Sequence, residues 1–111
     1  MLTLFENIET DISDNLKDKI PAFLNALKKY SFDNPVTSKK IESGMHIKGI
    51  EVRAIVRYCR REGYPVGSSA KGYFWISSAD ELDKTIAHLQ ERANSIEKTI
   101  EEMNYLKKFI K

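Results

Sequence analysis

Residues 38–77 of this 111-residue chain read SKKIESGMHIKGIEVRAIVRYCRREGYPVGSSAKGYFWIS and contain the pattern of two consecutive helices. A hydroxyl of Thr37 or Ser38 can cap the first helix, over residues 39–45, by accepting a hydrogen bond from an otherwise unpaired amide. The second helix, over residues 48–62, has apolar residues along one side and arginines on or near the opposite side. We therefore predict a short helix, a turn and a longer basic helix.

A β-hairpin is predicted directly after the longer helix. Gly63 is a helix stop, because glycine accepts the left-handed conformation in which many helices end. Two short runs, residues 65–69 and 73–77, then flank the turn sequence at residues 70–72, a spacing typical of a hairpin. The predicted elements follow the order of a winged helix-turn-helix: a helix, a short helix, a turn, a longer helix and a hairpin.

The spacing of apolar residues tests this interpretation. A helix-turn-helix unit of about 20 residues needs apolar side chains at its fourth, eighth, tenth, fifteenth and eighteenth places, so that two steeply crossing helices share a small core. With the unit starting at Ser38, those places hold Ile41, Met45, Ile47, Val52 and Ile55. All five are apolar, which chance would give in about one register in a hundred at this composition.

Helices are also predicted on both sides of this unit. Apolar residues at three- and four-residue spacing indicate a weak helix near residues 3–12 and a firm one near 19–30, where Pro21 is tolerated because it falls in the first turn. Ser78 begins the last helix, with Glu81 at capping-box spacing. The chain therefore divides into a head, residues 1–77, and a C-terminal helix, residues 78–111.

Residues 52–66, VRAIVRYCRREGYPV, followed by Lys71-Gly72-Tyr73, resemble the winged-helix domain of biotin-repressor-type regulators. The chain is also similar to small winged-helix proteins of phage and prophage origin. The resemblance covers about residues 19–77 and implies a double-stranded DNA-binding domain; the ligase activity of some relatives is not carried over, because no ligase domain follows the hairpin. Two places differ from the motif: Glu42 replaces a small residue, and His46 replaces a glycine.

The Glu42 side chain would crowd the helix crossing unless Ser43 and Gly44 open space beside it. His46 must either adopt or avoid a left-handed turn that glycine accepts freely.

The alignment implies a set of DNA-contacting residues: Lys48, Arg53, Arg57, Arg60, Arg61, Ser69 and Lys71. The first three begin or line the exposed face of the helix expected in the major groove, and are candidates for base contacts. The other arginines and Lys71 are expected on phosphates, and the wing serine on the backbone or minor groove. The alternative is that these arginines only solvate the outer face of a helix. Aromatic residues 73–75 are expected to form core and wing support rather than a stacking surface.

The distribution of charge favours an anionic partner for the middle of the chain. The net charge is only +2, yet residues 37–75 hold eight basic and three acidic groups, between flanks of net charge −2 and −1. A basic segment of this kind is typical of nucleic-acid binding.

The C-terminal helix carries a heptad pattern, in which apolar residues alternate at four- and three-residue steps. The resulting seam comprises Leu82, Ile86, Leu89, Ala93, Ile96, Ile100 and Met103. We predict a coiled coil with a second copy of the chain, the alternative being that the helix bends near Asn94 and packs on its own N-terminal helices.

Other classes of protein are not supported by the sequence. The two histidines and one cysteine do not form a ligand cluster with zinc spacing, and neither a phosphate-binding glycine loop nor a catalytic triad pattern is present. We therefore expect no enzyme activity, cofactor or metal. The acidic N-terminus and short apolar runs predict a cytoplasmic protein without a membrane span. The expected function is that of a dimeric transcriptional regulator or a phage-type replication or maintenance factor, the alternative being a protein-protein interaction module.

Overall fold

The structure, a computed structural model, describes residues 12–110, so the helix predicted near residues 3–12 lies outside the described residues except for its last position. Five helices and two strands follow one another in the order α1 (Asp14–Lys17), α2 (Ile20–Leu27), α3 (Ser38–Met45), α4 (Gly49–Arg61), β1 (Val66–Ser69), β2 (Gly72–Trp75) and α5 (Ala79–Leu106). The predicted fold class, mainly helical with a winged helix-turn-helix order and a long C-terminal helix, is confirmed. None of the helices in this range combines the length and apolar character of a membrane span.

The cap of α3 is Thr37, whose Oγ1 accepts a hydrogen bond from the Lys40 amide, 3.2 Å away. The helix ends at His46, which takes the left-handed conformation with φ 55° and ψ 49°. The Ile47 amide then donates to the Glu42 carbonyl and closes the turn. His46 therefore adopts the backbone conformation for which the motif usually uses glycine.

The core of the head lies where α1, α2, α3 and α4 meet the hairpin. Four of the five residues predicted from helix-turn-helix spacing are buried, and Met45 is half-buried against them. The largest fully buried side chains are Phe74, Leu27, Ile55, Val52, Val66 and Cys59. The apolar spacing thus identified the residues that hold the two helices together.

The hairpin is antiparallel, with Ser69 opposite Gly72, so its turn has two residues rather than the predicted three. A further backbone bridge joins Val36 to Tyr73, through two N–H to carbonyl hydrogen bonds of 2.8 Å. Gly72 has a φ of 142°, and a Cβ there would collide with the Val36 carbonyl oxygen. The sequence pattern did not reveal this bridge, because one residue in a loop carries no periodicity.

The long helix α5 begins at Ser78, whose Oγ accepts from the Glu81 amide at 3.2 Å. The predicted capping box is only half formed, because the Glu81 carboxylate accepts from the Ser77 amide instead of the Ser78 amide. The helix continues without interruption through Asn94, where the alternative interpretation placed a bend. Its 28 residues span about 42 Å.

Helix α5 contacts the head mainly through β1. Thr85 is its buried residue, at 3% exposure, and the seam residue Leu89, one turn further on, lines a cleft with Ser68 and Ser69 of β1. The six large seam side chains are between 37% and 61% exposed, the least exposed being Leu89. The part of the chain that the structure describes therefore leaves most of the seam uncovered.

Candidate nucleic-acid interface

Helix α4 separates an apolar side from a basic side. Val52, Ile55, Val56 and Cys59 are buried on one side, whereas Ile50 on the other is 64% exposed. Lys48, Arg53 and Arg57, which the sequence pattern assigned to the same face as Ile50, are also exposed. The helix therefore presents a basic surface with one apolar residue near its beginning.

Room for the unusual Glu42 comes from Gly49, the first residue of α4. The carboxylate accepts a hydrogen bond from Ser38 Oγ at 3.0 Å, and a Cβ on Gly49 would lie only 3.3 Å from Glu42 Oε2. The same Cβ would lie 3.7 Å from Nη1 of Arg53, so both side chains pass over this glycine. A glycine at position 44 is not needed for this space, because a Cβ there would have no neighbour within 4 Å.

Arg60 ties α4 to the hairpin. Its Nε donates to the Val66 carbonyl at 2.9 Å, and its Nη2 donates to Ser68 Oγ at 3.0 Å. Burial lowers the pKa of this guanidinium, the positive charge of Arg92 acts in the same direction, and Tyr73 opposes both. Arg60 thus has a packing role in addition to any contact with a ligand.

Four of the seven predicted DNA-contacting residues meet in one cleft between α4, β1 and α5. Arg53, Arg57, Arg60 and Ser69 line it, and its volume is about 280 Å³. Arg53 and Arg57 are exposed, and Arg60 is half-buried. The structure therefore brings four of the seven predicted residues together, among them two of the three base-contact candidates.

The remaining three predicted residues lie outside this cleft. Lys48 is the exposed N-cap of α4, and its amide donates to Glu51 Oε1 at 2.9 Å. Lys71 is exposed in the hairpin turn, where its amide donates to Ser69 Oγ at 3.2 Å. Arg61 follows Arg60 but is turned by about 100° around the helix axis.

The aromatic residues of β2 belong to the head, as expected. Phe74 is fully buried and makes an edge-to-face contact with Phe32 at 5.5 Å between ring centroids. Tyr73 and Trp75 are half-buried against the core, and Lys28 Nζ lies 5.3 Å above the Trp75 ring. None of the three rings is exposed enough to offer an open stacking face.

Two residues of the cleft were missed from the sequence. His88 and Arg92 of α5 line it opposite the α4 arginines. Both belong to the polar side of α5, where hydrophobic periodicity gives no indication of contact. The one available indication was spacing, because Thr85, His88 and Arg92 follow one another at three- and four-residue steps and so share a helix face.

Comparison with protein-family models, with curated proteins and with solved structures finds no match to this chain.

Proposed function

We propose that the chain binds double-stranded DNA through α4 and the hairpin, without catalysis of its own, as a transcriptional regulator or a replication or maintenance factor. The observation that carries the proposal is the cleft flank of α4, where three arginines lie beside the hairpin. Within residues 12–110, no carboxylate lies within 4 Å of the Arg53, Arg57 or Arg60 guanidinium. Unneutralised guanidinium groups on a helix next to a wing suit a polyanion.

Two further features support α4 as the helix that enters the major groove. The beginning of the helix carries three exposed residues, Lys48, Ile50 and Arg53. Together they offer hydrogen-bond donors to guanine and an apolar group to a thymine methyl. The exposed Lys71 in the hairpin turn adds a candidate for a phosphate contact.

We also propose that a second copy of the chain covers the seam of α5. Exposed apolar side chains at heptad spacing along one helix are typical of a coiled-coil partner surface. A two-fold dimer would favour inverted half-sites with centres about one or two helical turns apart.

The discriminating experiment is a binding titration of the full chain on random-sequence duplex at several salt concentrations. The logarithm of the affinity should fall steeply with the logarithm of salt concentration, by about 0.9 for each phosphate neutralised. The double variant Arg53→Ala/Arg57→Ala should flatten the slope, and the charge-matched Lys29→Ala/Lys98→Ala should not. A wild-type slope near zero contradicts DNA binding.

The second candidate is a protein-protein interaction module. The exposed Ile50 favours it, because an exposed apolar side chain on a basic helix also suits a protein partner. If no salt-dependent complex with duplex DNA forms, the protein-protein interaction module becomes the better-supported function.

A further inference from the structure

We propose that Arg57, Arg60 and Arg92 form a binding site for one phosphate group, in the cleft where α5 crosses beside α4 and β1. The site makes the C-terminal helix a part of the ligand-binding surface and not only a dimerisation element. If the phosphate belongs to a DNA backbone, the site extends the proposed DNA-binding function, and the inference then rests on that function.

The position of Arg92 follows from the docking of α5. Thr85 Oγ1 accepts a hydrogen bond from the Ser68 amide at 3.3 Å, and this contact fixes which side of α5 faces the head. Arg92 follows Thr85 by seven residues, almost two full turns, so it lies on the same side. The direction of Arg92 towards the cleft is therefore set by helix geometry and by the buried Thr85 contact, and not by a contact that Arg92 itself makes.

The positive charge of the side chains that line the cleft favours binding of an anion. Four arginines and a histidine line it, together with two serines, a tyrosine and two apolar residues, and no carboxylate is among them. Arg92 also has no carboxylate within 4 Å in residues 12–110. Burial lowers the pKa of Arg60, Tyr73 opposes this change, and the positive charge of Arg92, which lines the same cleft, adds to it.

The donors that remain suit phosphate in particular. Arg60 uses its Nε and one hydrogen of Nη2 for the hairpin, which leaves three N–H donors for a ligand. Guanidinium groups bind phosphate oxygens through paired, charge-assisted hydrogen bonds. Ser69 and Tyr73 add hydroxyl groups to the lining of the cleft.

The phosphate can come from a duplex backbone or from a free phosphorylated molecule, and both sources are tested with the full chain. The variant is Arg92→Ala, and the control is Lys98→Ala, which removes an exposed positive charge from the same helix. Arg60 is left intact, because its hydrogen bonds hold the hairpin. In one arm, pyrophosphate is titrated by calorimetry; in the other, duplex affinity is measured against salt concentration.

Arg92→Ala should either weaken pyrophosphate binding about tenfold, as expected for loss of a charged hydrogen bond, or lower the duplex salt slope by about 0.9. Lys98→Ala should leave both quantities unchanged, and Arg92→Lys should retain the slope. An effect on the duplex alone identifies a backbone phosphate, and an effect on pyrophosphate alone identifies a free phosphorylated ligand. Equal behaviour of Arg92→Ala and Lys98→Ala in both arms overturns the site, whereas a wild-type salt slope near zero contradicts DNA binding separately.

Discussion

The backbone amide of Ser68 in the first hairpin strand donates a hydrogen bond to Oγ1 of Thr85 in the long helix, across 3.3 Å. Thr85 is 3% exposed and Ser68 is 8% exposed, so water cannot replace this bond freely. A polar side chain thus holds the edge of the hairpin against the long helix.

Thr85→Val should therefore destabilise the fold by about 1–3 kcal/mol, because valine keeps the shape of threonine but leaves the buried Ser68 amide without an acceptor. Thr85→Ser, which keeps the oxygen, should cost less. The free energy of unfolding, measured in urea by Trp75 fluorescence, checks both variants. Thr99→Val is the control, since Thr99 is exposed on the same helix; equal losses at the two threonines would show that the Ser68 contact contributes nothing.

His46→Gly should stabilise the protein by roughly 0.5–1 kcal/mol, because glycine takes the left-handed backbone without a Cβ clash. His46→Val should destabilise it, since β-branched residues are strongly disfavoured there. Urea unfolding measures both changes. Ser43→Gly inside α3 provides the comparison and should be destabilising by about 0.5–1 kcal/mol. A destabilising His46→Gly would mean that the imidazole makes a compensating contribution.

Cys59 should make the fold sensitive to alkaline pH. Burial, assisted by the charge of Glu62, raises the pKa of its thiol from 9.0 to about 11. Above the lower value the unfolded chain loses a proton that the folded chain keeps, so stability is lost as pH rises through this window. Relative to Cys59→Ala, the wild type should lose roughly 2–3 kcal/mol of unfolding free energy between pH 8 and pH 11. A pH-independent difference between the two proteins would show that the folded thiol titrates normally.

Ile100→Asp should convert a dimer into a monomer, because it places an unpaired charge in the proposed seam at a cost of several kcal/mol of association. Ile86→Asp should act in the same way. Sedimentation at several concentrations measures the effect, with Asn94→Asp as the control, because Asn94 lies on the side of α5 away from the seam. A wild type that stays monomeric at the highest concentration contradicts the coiled-coil proposal.

Arg53→Ala should weaken binding to a selected duplex more than binding to random duplex, whereas Lys71→Ala should weaken both alike. The reason is that Arg53 lies beside the first turn of α4, over Gly49, and Lys71 lies in the hairpin turn. Titration of each variant on both duplexes gives the two ratios. The same ratio for both variants would mean that Arg53 does not reach a base edge.

Local chemistry in the sequence was sufficient for most of the fold. Three features depend only on neighbours within one or two helical turns: the cap at Thr37, the stop at Gly63 and the apolar spacing from Ile41 to Ile55. They could therefore be predicted from the order of residues along the chain. The Val36 bridge and the space above Gly49 depend on segments that meet only after folding, and the sequence pattern gave no sign of either.

The candidate site likewise contains residues that could be predicted from the sequence and residues that could not. The arginines of α4 could be predicted because one helix displays them at regular spacing. Arg92 could not be placed beside them, because its position depends on how Thr85 docks against β1. The heptad seam drew attention to the apolar side of α5, whereas the head contacts a side that is largely polar.

Helix α5 is continuous from Thr85 to Leu106. The angle around its axis between the side that faces the head and the side proposed to face a second copy is therefore fixed. Each residue turns the helix by about 100°, so one residue inserted after Arg92 would leave the arginine in its cleft but rotate the rest of the seam out of line. Seven inserted residues would restore the alignment to within about 20°. In a dimer, the orientation of one head relative to the other is therefore set by the number of residues between Arg92 and the rest of the seam.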